Sequence, residues 1–306
     1  MSDLLEPGRV SEGGEKKENN GLELVIEARN RDLAGITIRR VLPFYARRMV
    51  GPWIFFDHIG PVEFAPGQGM DVPPHPHINL ATVTYVFEGK IMHRDSMGVV
   101  QTVEPGAINL MVAGKGVAHS ERTPPELRAS GFRQHALQLW LALPVESEEI
   151  DPAFYHYDAD ELPGKQLDGV AVRVLMGECF GLVSPVKTYS QTLYAEANFV
   201  EDGKLTLPAG VPERAVYIVA GAAKLNGVEV PESRMAVCQE GHEITIEAGA
   251  GTRIAIIGGE NIGPRHIWWN FISSRPERIE QAKQDWKEQR FEKIPGETEF
   301  VPLPRI

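Results

Sequence analysis

The sequence predicts an all-β fold of two barrels followed by one C-terminal helix. Three observations predict it. Apolar residues fall in short runs rich in β-branched side chains, each bounded by Gly, Pro, Asn or Asp. The 30 glycines and 23 prolines supply the many turns that such runs need. Helical periodicity is nearly absent until the last forty or so residues, which argues against alternating strand and helix units.

Residues 1–20 are polar and aperiodic, and they are expected to form a disordered tail. A first barrel is expected over 21–143, with strands at Leu22–Ile26, Ile36–Arg39, Ala81–Phe87, Val99–Val103 and Gln138–Leu143. The acidic, turn-rich stretch 144–165 reads as a linker. A second barrel is expected over 166–306, with strands at Val170–Leu175, Gln191–Phe199, Ala215–Val219, Arg234–Cys238, Glu243–Ile246 and Arg253–Ile257. Thr84-Tyr85-Val86-Phe87-Glu88-Gly89 is echoed by Val216-Tyr217-Ile218-Val219-Ala220-Gly221, as a duplicated barrel would require. A helix is expected over about 275–290. Ser274 and Glu277 have capping-box spacing, and Pro276 falls in the first turn. Ile279, Ala282 and Trp286 then form a narrow apolar stripe that suits packing on a barrel wall, or on a partner.

Bulk properties exclude several classes. A formal net charge of −11 without a Lys/Arg cluster argues against nucleic-acid binding. No apolar run is long enough for a membrane helix, and the N-terminus lacks a signal-peptide core, so a cytoplasmic protein is expected. Cys179 and Cys238 read as separate buried thiols. A monomer or weak homodimer is expected.

Chemistry concentrates in the first half. Five of nine histidines (His75, His77, His93, His119 and His135) lie between residues 75 and 135. Pro76 holds His75 extended, and residues i and i+2 of an extended chain share a face. His75 and His77 are therefore expected side by side. His119-Ser120-Glu121 repeats the spacing after the glycine-rich turn Ala113-Gly114-Lys115-Gly116. Two such strands facing each other would offer three nitrogens and one carboxylate to a metal. A set without thiolate argues against structural zinc and suits Fe(II), and equally Mn, Co, Ni, Cu or catalytic Zn. His93 is a candidate acid, base or orienting partner, or else a locally bonded turn residue. His58 and His135 read as structural, and Trp268 and Trp269 as packing residues.

Several motifs together resemble the pirin family of the cupin superfamily. They are Pro74-His75-Pro76-His77, Thr82 to Gly89, His93-Arg94-Asp95-Ser96-Met97-Gly98, Pro105-Gly106 and Ala113 to Glu121. Phe55-Phe56-Asp57-His58, Leu137-Gln138-Leu139-Trp140 and Pro264 to Phe271 extend the likeness. The resemblance implies two stacked cupin (jelly-roll) barrels with metal in the first alone, held by His75, His77, His119 and Glu121. It implies iron and a quercetin 2,3-dioxygenase-like activity, in which Glu121 takes the flavonol 3-hydroxyl proton and a depside and carbon monoxide are released. The alternative it implies is a non-enzymatic iron-binding redox sensor that binds a protein partner. One departure stands out: Ile78-Asn79-Leu80-Ala81-Thr82 replaces Arg-Gly-Phe-Glu-Thr, so the general cupin glutamate is absent.

Overall fold

The computed structural model describes residues 20–304; the expected tail at 1–20 lies, apart from Asn20, outside the described residues. Two seven-stranded antiparallel sheets form the centre. The first runs in the order Ala153–Tyr157, Ile108–Val112, Leu80–Glu88, Phe132–Ala142, Trp53–Phe64, Ile36–Leu42 and Arg29–Leu33. The second runs Leu22–Glu27, Arg234–Cys238, Glu213–Ala220, Arg253–Gly259, Thr192–Phe199, Val170–Met176 and Gly164–Leu167. A four-stranded sheet completes each barrel. In the first barrel it is Val72–His77, Val117–Arg122, Ile91–Asp95 and Val100–Val103; in the second it is Gly203–Leu207, Ile244–Ala248, Ala222–Leu225 and Val228–Pro231.

The large sheets bury both faces, which is why their strands read as nearly unbroken apolar runs. Leu80–Glu88, for example, is buried over its first seven residues. One face lines its own barrel. The other packs against the second large sheet through Tyr85, Leu137 and Leu139 on one side and Tyr194, Tyr217 and Ile257 on the other. Trp53 ties the two together, its Nε1–H lying 3.0 Å from both Leu193 O and Gly258 O.

The boundary strands depart from the expected division. Leu22–Glu27, expected in the first barrel, pairs with Arg234–Cys238 of the second. Ala153–Tyr157, expected within the linker, pairs with Ile108–Val112 and closes the edge of the first sheet. The physical reason is shared: a bare sheet edge leaves a row of unpaired N–H and C=O groups, and the nearest available strand satisfies them. The twelve-residue strand Trp53–Phe64 and the short helix Pro125–Ser130 were not expected from periodicity.

The C-terminal helix spans Pro276–Lys287. The expected capping box does not form. Arg275 is the N-cap residue and no side chain caps it, because the Ser274 hydroxyl donates instead to Glu148 Oε2 at 2.7 Å. The apolar stripe packs as expected on a barrel wall, and that wall belongs to the first barrel. Ile279, Ala282 and Trp286 sit against Ile78, Ala118, Trp269 and Phe271. Both cysteines are free and buried, and burial raises the thiol of Cys179 to about 11 and that of Cys238 to about 12. Among the described residues no helix is long and apolar enough to cross a membrane.

Candidate metal centre

The histidine strands are neighbours in the small sheet of the first barrel. His119 pairs across from His75, and Val117 from His77. A register shift between His119 and Glu121 places Glu121 opposite Val72 on that side, while on the other side Glu121 faces His93 and His119 faces Asp95. Local turns set this up. Asn79 adopts φ 57° just beyond His77 and turns the chain into the next strand. Gly114 (φ 48°) approaches residue 150 so closely that a Cβ would lie 2.0 Å from Ile150 O, so the turn before Val117 requires glycine.

One imidazole nitrogen each from His75, His77 and His119 lies within 4.8 Å of the other two. All three rings are held from behind. His75 Nδ1 is 2.9 Å from Pro73 O, and His77 Nδ1 is 3.1 Å from Asn270 O, so each donates to a carbonyl. His119 Nδ1 lies 3.4 Å from His93 Nδ1, and His93 Nε2 lies 3.0 Å from Asp95 Oδ2. The Asp95 carboxylate fixes the proton on His93 Nε2, so His93 Nδ1 accepts from His119 Nδ1–H. Every ring thus presents Nε2 to the pocket, and Nε2 of His77 and of His119 is buried without a partner among the described residues. A cluster of orphaned buried acceptors is what a metal ion would satisfy. Burial lowers the His75 imidazole to about 4 and holds those of His77 and His119 well below 6.5. All three are therefore neutral at neutral pH, with lone pairs free to ligate.

Glu121 borders the same cavity, outside the tight nitrogen group. It is 8% exposed, and burial raises its carboxyl to about 7. A divalent cation beside it would draw that value back down. His93 is not among the residues lining the cavity. It stands behind His119 and stacks on Phe154 at 4.6 Å, a position from which it can orient that ring.

The cavity measures about 180 Å³. Phe55 and Trp140 stack at 3.9 Å to form one wall, and Trp140 meets His77 edge-on at 4.9 Å. Arg40, Asp57, Gln138, Trp269, Asn270 and Val301 also line it. Sequence reading missed Arg40 and Val301 and read Trp269 only as packing; no local pattern marks residues that reach the site from distant strands and from the C-terminal segment. Ala81 and Thr82, where the general cupin glutamate would fall, are buried and do not line the cavity. His58 and His135 are buried and do not line the cavity. His58 Nε2 lies 2.7 Å from His135 Nε2, and His58 Nδ1 lies 2.9 Å from Tyr217 of the second barrel.

Comparison with known proteins matches residues 35–141 to the Pirin family model and 194–292 to the Pirin C-terminal cupin domain. A pirin-like protein of Caulobacter vibrioides is 46% identical over 92% of this chain and 99% of its own length. The chain belongs to the pirin family. Another pirin relative, described as a putative quercetin 2,3-dioxygenase of Pseudomonas aeruginosa, is 38% identical over 83% of this chain and 80% of its own. Among solved pirin folds, a quercetin 2,3-dioxygenase from Acinetobacter baumannii superposes with a TM-score of 0.88 at 36% identity, covering 94% of this chain and 96% of that one. A bacterial pirin from Escherichia coli, solved with nickel(II), shares the fold at a TM-score of 0.61 and 19% identity, covering 78% and 98%. The pirin bicupin fold therefore holds for this chain, with its histidine triad in the first barrel.

Proposed function

We propose that this pirin binds Fe(II) through His75, His77, His119 and Glu121 and cleaves a flavonol such as quercetin with dioxygen. The observation that carries the reading is the convergence of three neutral, rear-anchored imidazoles, two with orphaned Nε2 atoms, on an aromatic-walled cavity. The relatives described as quercetin 2,3-dioxygenases support the choice of substrate. The donor set also suits nickel, the metal with which the Escherichia coli pirin was solved, so the iron assignment rests on family likeness and on metal supply.

When bound, the ion would polarise adjacent substrate oxygens and organise them for reaction with dioxygen. The chain's own residues do the rest. The Phe55–Trp140 stack offers a flat face to a planar ring. Glu121, whose carboxylate a bound cation would hold in its ionised form, accepts the proton of the 3-hydroxyl. At about 180 Å³ the cavity is smaller than the roughly 300–1,000 Å³ usual for drug-sized ligands. It holds the chelating end of a flavonol and leaves the remainder towards the mouth.

The test is iron-loaded protein with quercetin under air, following loss of flavonol absorbance against a His75→Ala control. Turnover that requires His75 is expected. Tight iron binding without turnover across several flavonols would overturn the enzyme reading and favour a metal-dependent regulator with a protein partner.

A further inference from the structure

One row of polar side chains crosses the pocket wall beside the aromatic stack. Arg40 and Gln138 are both register partners of Asp57, one on each neighbouring strand. Two residues along, on the same face, Phe55 pairs with Trp140. All five line the cavity together with the histidine triad.

The bonding in this row is incomplete in one direction. Asp57 takes two donors from Arg40, Nε at 2.8 Å and Nη2 at 2.7 Å, and the guanidinium lies 4.4 Å above the Phe55 ring. Thr84 Oγ1 donates to Gln138 Oε1 at 2.7 Å. These contacts lock both side chains. They leave Arg40 Nη1 and Gln138 Nε2 with no hydrogen-bond partner among the described residues, although the Arg40 side chain is 9% exposed and Gln138 is 8% exposed. Both donors open on the cavity, where they are free to bond water or a ligand oxygen. Asp57 pairs with the guanidinium, and Arg29 and Arg31 also act on Asp57 electrostatically, so the edge reads acceptor oxygens, neutral or anionic.

We propose that Arg40 and Gln138 form an oxygen-recognition edge that sets substrate specificity. The preferred substrate is a planar aromatic compound whose rim carries an acceptor oxygen (carbonyl, phenol or carboxylate) besides the pair that reaches the triad. A ring that is bare hydrocarbon at this edge leaves two donors desolvated and unpaired, and sites built to bond such groups reject analogues that lack them. The inference deepens the flavonol reading and rests on it for the choice of probes.

The experiment is anaerobic titration of zinc-loaded protein, followed by tryptophan fluorescence, with quercetin and with 3-hydroxyflavone. Both carry the 3-hydroxy-4-keto pair, and only quercetin carries further ring oxygens. Wild type should prefer quercetin by about tenfold or more, and Arg40→Lys and Gln138→Met should each reduce that preference to about threefold or less. Arg40→Lys keeps a cation for Asp57, and Gln138→Met leaves the Arg40–Asp57 pair intact; zinc content and melting temperature verify both folds. A wild-type preference near unity, or one that survives both substitutions, overturns the proposal. Catechol and 3,4-dihydroxybenzoate are titrated in parallel. If neither flavonol binds but the carboxylated catechol is preferred through Arg40 and Gln138, the flavonol reading falls and the recognition edge stands. If no probe binds, both fall.

Discussion

At the scale of residues, the centre depends on how each imidazole is held as much as on which residues are present. His119 is oriented by His93, and His93 by Asp95, whose other oxygen accepts from Met97 N at 2.9 Å and Val99 N at 3.1 Å. Losing such an orienting group typically costs 10–100-fold in metal affinity. His93→Leu should therefore weaken metal binding by about that factor while retaining the fold, as read by competition titration with a chromophoric chelator. Affinity equal to wild type would show that His119 needs no support from His93. Glu121 makes a separate prediction. Glu121→Gln should keep part of its metal and lose most quercetin turnover, since the amide cannot take the 3-hydroxyl proton. Full turnover in that variant would remove Glu121 from the reaction.

At the scale of elements, the C-terminal helix supports the pocket and the segment after it helps line it, although both lie far from the histidines in sequence. Trp286 is 5% exposed, packs beneath Trp269 and Phe291, stacks on Phe300, and donates from Nε1 to Val301 O at 2.8 Å. Val301 in turn lines the cavity. Glu297 clamps the segment to the outer face of the ligand strand, accepting from Ser120 Oγ at 2.8 Å and from Arg122 Nη2 at 2.6 Å. Alternation along Val117–Arg122 makes this possible: His119 and Glu121 face in, while Ser120 and Arg122 face the strap. Trp286→Ala should cost about 3–5 kcal/mol in denaturant unfolding. It should also raise hydrogen exchange across 297–303. Unchanged exchange there would mean that the strap is held by Glu297 without help from the helix.

At the scale of the whole molecule, the two barrels meet through an apolar interface in which two neutral histidines are set. Burial and nearby arginines lower His135 to about 4, and burial with Arg39 holds His58 well below 6.5. A histidine whose folded value is depressed binds fewer protons folded than unfolded. Its contribution to stability is therefore full above about pH 6.5 and is lost as pH falls towards 4. His75, His77 and His119 act in the same direction in metal-free protein. Glu121 opposes them, because its raised carboxyl holds a proton in the folded state between about 4.5 and 7. The histidines outnumber it, so the melting temperature of chelator-treated protein should fall from pH 7 to pH 5. The fall should be smaller in His135→Gln and steeper in Glu121→Gln. A melting temperature independent of pH over that range would contradict the buried, neutral state of these rings.

The sequence alone determined the all-β class, most central strands and the pairing of His75 with His77 and of His119 with Glu121. Each rests on local rules, namely alternation along an extended chain, proline's restriction of its predecessor and glycine at positive φ. The family motifs carried the bicupin architecture, because they span both barrels. The tertiary structure alone decided which edge each boundary strand closes, that Ser274 bonds Glu148 in place of capping its helix, and that His93 stands behind His119. It alone brought Arg40, Gln138, Trp269 and Val301 to one cavity. Those outcomes depend on contacts between residues tens to hundreds of positions apart, where competing partners for the same edge, hydroxyl or ring are settled by packing, which leaves no local periodicity to read.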